Sequence, residues 1–142
     1  MDIFKEIKKL KFPLDSYVVV GSGPMAAHGL KEIHDIDIVI TPKLFEQCKQ
    51  TGWEQICWTY PEKTDEIFLR RSAVELYLDV NCGDFNPTTE ELMQRAEVVN
   101  GIPFASLEDI LSFKKEYVKT KPKHLRDIEL IQKYFDSLGG KL

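Results

Sequence analysis

Apolar positions recur along the chain in two rhythms. Ile3, Phe4, Ile7 and Leu10 follow helical spacing behind Asp2, a ready cap, so residues 2–11 predict a short amphipathic helix that Pro13 stops. Tyr17-Val18-Val19-Val20 is a continuous, β-branched run bounded by Gly21, the pattern of a buried central strand. A turn and short helix over 21–30 come next, and then Asp35-Ile36-Asp37-Ile38-Val39-Ile40 alternates as a strand does. Thr41-Pro42, a cap followed by proline at the first helical position, opens a helix reaching about residue 51. Residues 53–58, 67–71 and 74–80 read as three further strands, with a loop over 61–65 and a turn near Arg71-Ser72. Helical spacing returns from Thr89 to Ala96, and an extended piece over 98–104 crosses Gly101 and Pro103. Two helices close the chain. The first is capped by Ser106 with Asp109 three residues on, a variant capping box; the second starts near Pro122 and ends at Gly139-Gly140. The order predicts an α/β (α+β) domain with a short mixed sheet flanked by helices. All 142 residues form one unit, a sheet core over 1–104 and a helical pair over 105–142.

Composition narrows the class. With 43% hydrophobic and 30% charged residues, the chain can bury a core and still present a solvated surface. No run approaches the roughly 18 apolar residues of a membrane span, and the mixed charges of residues 1–6 are unlike a signal peptide. Cys48, Cys57 and Cys82 form no C-x-x-C and are expected to be free thiols in a cytoplasmic protein. A net charge of -4 argues against a surface built for polyanions. Lys114, Lys115, Lys119, Lys121, Lys123 and Arg126 nevertheless concentrate positive charge over 114–126.

Gly21-Ser22-Gly23-Pro24-Met25-Ala26 comes directly after a strand and matches the short dinucleotide-binding form G-x-G-x-x-A. A dinucleotide-binding oxidoreductase needs a full crossover helix and a second strand before its acidic residue. Here only eight residues separate Ala26 from Asp35.

Taken together with the next strand, the same turn means something else. Val20-Gly21-Ser22, twelve residues, then Asp35-Ile36-Asp37-Ile38 resembles the polymerase β-type nucleotidyltransferases, whose pattern is an apolar residue and Gly-Ser followed at that distance by Asp-apolar-Asp-apolar. Ala27-His28-Gly29, Gly101-Ile102-Pro103, Ser106-Leu107-Glu108-Asp109 and the stretch from Lys121 to Glu129 extend the likeness to small bacterial members over residues 17–135. These include minimal nucleotidyltransferases, relatives of lincosamide-modifying enzymes and abortive-infection toxins. The sequence departs from many of them before Asp35, where Lys31, Ile33 and His34 stand in place of an Arg and a Thr.

The resemblance implies transfer of a nucleoside monophosphate from an NTP to an acceptor hydroxyl, with two Mg²⁺ ions (or Mn²⁺) and release of pyrophosphate. Asp35 and Asp37 share one side of their strand, so their carboxylates can converge on a hard cation. A third carboxylate is expected on a neighbouring strand, and Asp79 is the candidate, with Glu75 and Asp84 as weaker alternatives. Gly21 and Ser22 would meet the phosphates. Lys114 falls within the apolar stripe of Leu107, Ile110, Leu111, Tyr117 and Val118, which leaves two roles open: contact with the triphosphate, or an ion pair with Asp127 on the next helix. Trp58 and Tyr60 read as core residues, with stacking on a substrate ring as the alternative. The acceptor is open between a small molecule and tRNA, the latter through the basic stretch 114–126. A catalytically inactive regulatory or binding protein on the same fold is the competing class.

Overall fold

The computed structural model describes residues 1–57 and 67–139. Trp58, Tyr60, the loop expected over 61–65 and the last glycine of the Gly139-Gly140 stop lie outside the described residues.

The elements are α1 (Ile3–Lys8), β1 (Tyr17–Val20), α2 (Gly23–Ala27), β2 (Ile36–Ile40), α3 (Pro42–Gln50), β3 (Glu54–Cys57), β4 (Ile67–Arg71), β5 (Val74–Tyr77), α4 (Thr89–Gln94), β6 (Glu97–Val99), β7 (Ile102–Phe104), α5 (Leu107–Tyr117) and α6 (Leu125–Gly139), the last entered through a 3₁₀ turn at Pro122–His124. Side-chain caps fix several of their starts. The Asp2 carboxylate accepts from the Lys5 amide, Thr41 from Leu44 and Ser106 from Asp109. The reciprocal capping box belongs to α4, between Thr88 and Glu91. The expected box at α5 is only half made, because the Asp109 carboxylate turns away to accept from Arg95 Nε at 2.9 Å.

The strands form a mixed sheet in the order β3-β4-β5-β2-β1-β7-β6. β1 and β2 are antiparallel, with Val20 opposite Asp37, while β2 and β5 are parallel, with Asp37 beside Glu75. The antiparallel β1–β2 pair removes the oxidoreductase alternative, since a dinucleotide-binding βαβ unit joins parallel strands. The expected extended piece over 98–104 is a hairpin, β6–β7, turning at Asn100-Gly101 with both residues at positive φ (51° and 81°).

Each face of the sheet carries its own core. Ile36, Ile38 and Ile40 point to one side, where Ile3, Ile7, Leu44 and Phe45 pack on them. Val18, Val20 and Val39 point to the other, under Met25, Leu92, Leu107, Ile110, Phe113 and Ile131. Each such side chain contributes about 1.5–3 kcal/mol by leaving water. Because side chains alternate, Asp37 shares the second face with Val39, on the side where α5 and α6 pack.

Candidate active site

Gly21 sits at φ +65°, a left-handed conformation that costs other residues, and a Cβ there would meet Asp37 Oδ2 at 2.7 Å. The turn backbone therefore lies directly against the Asp37 carboxylate. Gly23 serves another need: a Cβ on it would meet Val19 Cγ1 at 2.5 Å, so its bareness lets α2 pack on β1. Ser22 precedes α2 without capping it, and its hydroxyl accepts from Lys114 Nζ at 3.0 Å instead.

These residues line a cleft of about 1130 Å³. Asp35, Asp37, the Gly21-Ser22 turn and Lys114 all line it, with Asp37 against Gly21 and Lys114 on Ser22; Lys31, His124, Asp127 and Asp84 line it too. Asp35 is exposed one residue before β2, whereas Asp37 is half-buried within it. Burial, then repulsion from Glu75 and Asp35, pushes the Asp37 carboxyl up from its ordinary 3.8 to about 6, against the opposing pull of Lys114; it also hydrogen-bonds with Glu75.

This raised pKa makes stability depend on pH. Asp37 is protonated in both the folded and the unfolded chain below its ordinary range, so it costs nothing there. As the pH rises from about 4 to about 6 the unfolded chain releases this proton before the folded one does, and stability falls by about 3 kcal/mol, fully lost above pH 6. Urea unfolding of metal-free protein and of Asp37→Asn at pH 4 and pH 7.5 checks this. The variant is expected to gain relative to the native protein on going to the higher pH.

The strand expected over 74–80 is shorter than its pattern suggested. β5 ends at Tyr77, and Asp79 lies two residues beyond it, exposed; neither Asp79 nor Glu75 is among the residues that line the cleft. The carboxylate that the register sets beside Asp37 is Glu75. Glu75 Oε2 accepts from Arg70 Nε and Nη2 at 3.0 and 2.7 Å, and Oε1 from the Tyr77 hydroxyl at 2.8 Å. Asp84 also lines the cleft, its amide donating to Glu116 Oε1.

Among the described residues no three acidic, histidine or cysteine side chains close into a complete metal cage. The donor set nonetheless suits a hard cation of the Mg²⁺ kind, which is ordinarily bound by one or two carboxylates together with substrate phosphates. Asp35 and Asp37 would supply that pair; the Asp37 pKa is lifted first by burial and then by repulsion from Glu75 and Asp35, and a cation would oppose both.

Of the two roles the sequence left open for Lys114, the ion pair with Asp127 is formed, and the same ammonium also donates to the Ser22 hydroxyl. Lys114 Nζ lies 3.0 Å from Asp127 Oδ2 and 3.0 Å from Ser22 Oγ. Burial lowers its pKa, and the hydrogen bond and charge of Asp127 counter that. Two participants went unrecognised in the sequence. Lys31 reaches across from the linker before Asp35 to donate to both Asp127 oxygens, at 3.1 and 2.9 Å; no local pattern pairs residues so far apart. His124, read as part of a basic stretch, is held neutral, its pKa pushed down to about 4 by burial and by Lys114. The basic stretch is thus divided: Lys114 is buried, Lys119 is engaged by Glu116 at 2.6 Å, and Lys115, Lys121, Lys123 and Arg126 are exposed.

No family model and no curated protein matches the sequence. Solved structures do. ANT(2")-Ia in complex with adenylyl-2"-tobramycin superposes with a TM-score of 0.54 at 15% identity, over 94% of this chain and 85% of that one. A candidate nucleotidyltransferase of Thermotoga maritima superposes with a TM-score of 0.52 at 21% identity, over 96% of both chains. The chain has the nucleotidyltransferase fold across almost its whole length. No helix among the described residues is long and apolar enough to cross a membrane.

Proposed function

We propose that the protein is a divalent-metal-dependent nucleotidyltransferase acting on an NTP and a hydroxyl acceptor. The observation that carries this reading is the Asp37 carboxylate lying against the Gly21-Ser22 turn, with Asp35 beside it, inside one cleft. At about 1130 Å³ that cleft exceeds the roughly 300–1,000 Å³ usual for a single small ligand, so two substrates can meet in it. Asp35 and Asp37 would hold Mg²⁺, which supplies neutralisation of phosphate charge and acidification of a bound hydroxyl. Gly21 and Ser22 seat the phosphates, and Lys114, at hydrogen-bond distance from Ser22, adds positive charge there. The acceptor oxygen bonds to the α-phosphorus, the α–β bridging P–O bond breaks, and pyrophosphate leaves. The hydroxyl proton passes to a carboxylate, for which our candidate is Glu75, in register with Asp37, ahead of Asp79.

ANT(2")-Ia holds a nucleotidylated small molecule, adenylyl-2"-tobramycin. A small hydroxyl compound is also the acceptor class favoured here, since Lys114 is buried and Lys119 paired, which thins the basic stretch that tRNA would need. One observation favours the competing reading of a nucleotide-binding protein without transfer: Arg70 and Tyr77 already occupy both Glu75 oxygens.

Pyrophosphate release, measured with each NTP, Mg²⁺ or EDTA and a panel of hydroxyl acceptors, separates the two. Under the transferase reading Glu75→Gln lowers turnover about a hundredfold or more, the scale of a lost general base, while Asp79→Asn stays within about threefold of the native rate. Metal-dependent nucleotide binding without turnover on any acceptor supports the binding protein. A hundredfold loss confined to Asp79→Asn returns the third carboxylate to that position.

A further inference from the structure

Asp127 is a buried carboxylate on α6 that faces two ammonium groups, Lys114 from α5 and Lys31 from the linker before Asp35, with three N···O distances between 2.9 and 3.1 Å. Asp127 is one carboxylate against two lysines, and the other acid near Lys114 is Asp37, which a metal ion would engage under the proposed function, leaving a positive charge in excess once that ion is bound. A simple structural ion pair has no use for the second lysine, whose side chain is 35% exposed at the cleft and gives up rotamer freedom to be held there. Lys114 extends the chain of contacts to Ser22 Oγ, next to the turn that lies against Asp37. The groups facing Lys114 are Asp127, Lys31, Asp37 and the neutral His124, so its immediate surroundings hold it charged chiefly through Asp127.

We propose that Asp127 is a positioning residue, gathering Lys31 and Lys114 beside the Gly21-Ser22 turn into a two-cation seat for the polyphosphate tail of the nucleotide. This rests on the nucleotidyltransferase reading for its ligand, and it makes α6 part of the nucleotide site although α6 carries none of the acids. Polyphosphate supplies the anion that the excess charge lacks. A nucleoside monophosphate, whose single phosphate lies where bond exchange occurs, does not reach the seat.

Titration calorimetry with Mg²⁺ and, in turn, a nonhydrolysable NTP, inorganic tripolyphosphate and the nucleoside monophosphate tests the assignment on the whole chain. Lys31→Gln removes an exposed side chain and should leave the fold intact. It is expected to weaken NTP and tripolyphosphate about tenfold or more, the scale of a hydrogen bond to a charged group, and the monophosphate by less than about threefold. Asp127→Asn should lose the same preference for the long phosphate chain, and Asp127→Glu should restore part of it. Equal weakening of all three ligands by Asp127→Asn, or native NTP and tripolyphosphate affinity in Lys31→Gln, overturns the proposal; the Lys31 measurement decides if Asp127→Asn does not fold. The two readings fail separately. Lys31-dependent tripolyphosphate binding without nucleotidyl transfer sustains the seat and sinks the enzyme, whereas transfer with affinity indifferent to Lys31 does the reverse. Absence of any phosphate binding in the native protein overturns both.

Discussion

Asp35→Ala and Asp37→Ala are each expected to abolish nucleotidyl transfer while leaving the metal-free protein as stable as before, or more so. Each would remove one of the two carboxylates proposed to hold the metal beside the Gly21-Ser22 turn, and a metal ion's stabilisation of developing charge amounts to several kcal/mol, so the loss in rate should be at least about a thousandfold. The stability effect runs the other way because these acids repel one another. Asp37 is half-buried on β2, its ionisation opposed by burial and then by Glu75 and Asp35, so Asp37→Ala should gain more in Tm than Asp35→Ala. Pyrophosphate release and metal-free thermal melts read the two effects. Variants that unfold, or that release pyrophosphate at the native rate, contradict the assignment.

Asp127→Asn is expected to cost about 3–5 kcal/mol of folding stability in the absence of nucleotide, the penalty of stranding a buried charge. The stranded charge is Lys114, only 5% exposed; Lys31 can turn to water. Lys114→Met should cost less, about 1–3 kcal/mol, because Lys31 remains to neutralise Asp127. The double variant should recover part of the sum, with a coupling of about 0.5–3 kcal/mol. Urea unfolding of the four proteins measures it. Full additivity would show that the two side chains do not meet in solution, and a larger cost for Lys114→Met than for Asp127→Asn would remove Lys31 from the cluster.

Much of this was legible in the chain because local patterns dictated it. Residues 17–20 could only be a buried strand, and Ile36, Ile38 and Ile40 forced Asp35 and Asp37 to the opposite side of theirs, where the structure has them. The positions of Glu75 and Asp79 relative to Asp37 were not legible, for a definite reason. Glu75 and Asp79 have the same parity, so alternation puts both on one side of a strand read as 74–80. What separates them is the register that sets Glu75 beside Asp37 and the end of the strand at Tyr77, and both are tertiary properties. The β6–β7 hairpin carried a usable signal in Asn100-Gly101, the dipeptide that a tight two-residue turn prefers, and the run across it hid the reversal. Lys114 announced itself as a charge on an apolar stripe, and Asp127 as its partner. Lys31, 96 positions from Asp127, had nothing in its neighbourhood to mark it.

The most direct test of the central reading is the affinity of the native protein for a nonhydrolysable NTP measured with and without Mg²⁺. Binding that needs Mg²⁺ and disappears in Asp35→Ala is the expected result, since the two carboxylates and the phosphates share the cation. Equal affinity in EDTA, unchanged by Asp35→Ala, would show that the nucleotide does not use this pair of acids and would contradict the assignment of the cleft.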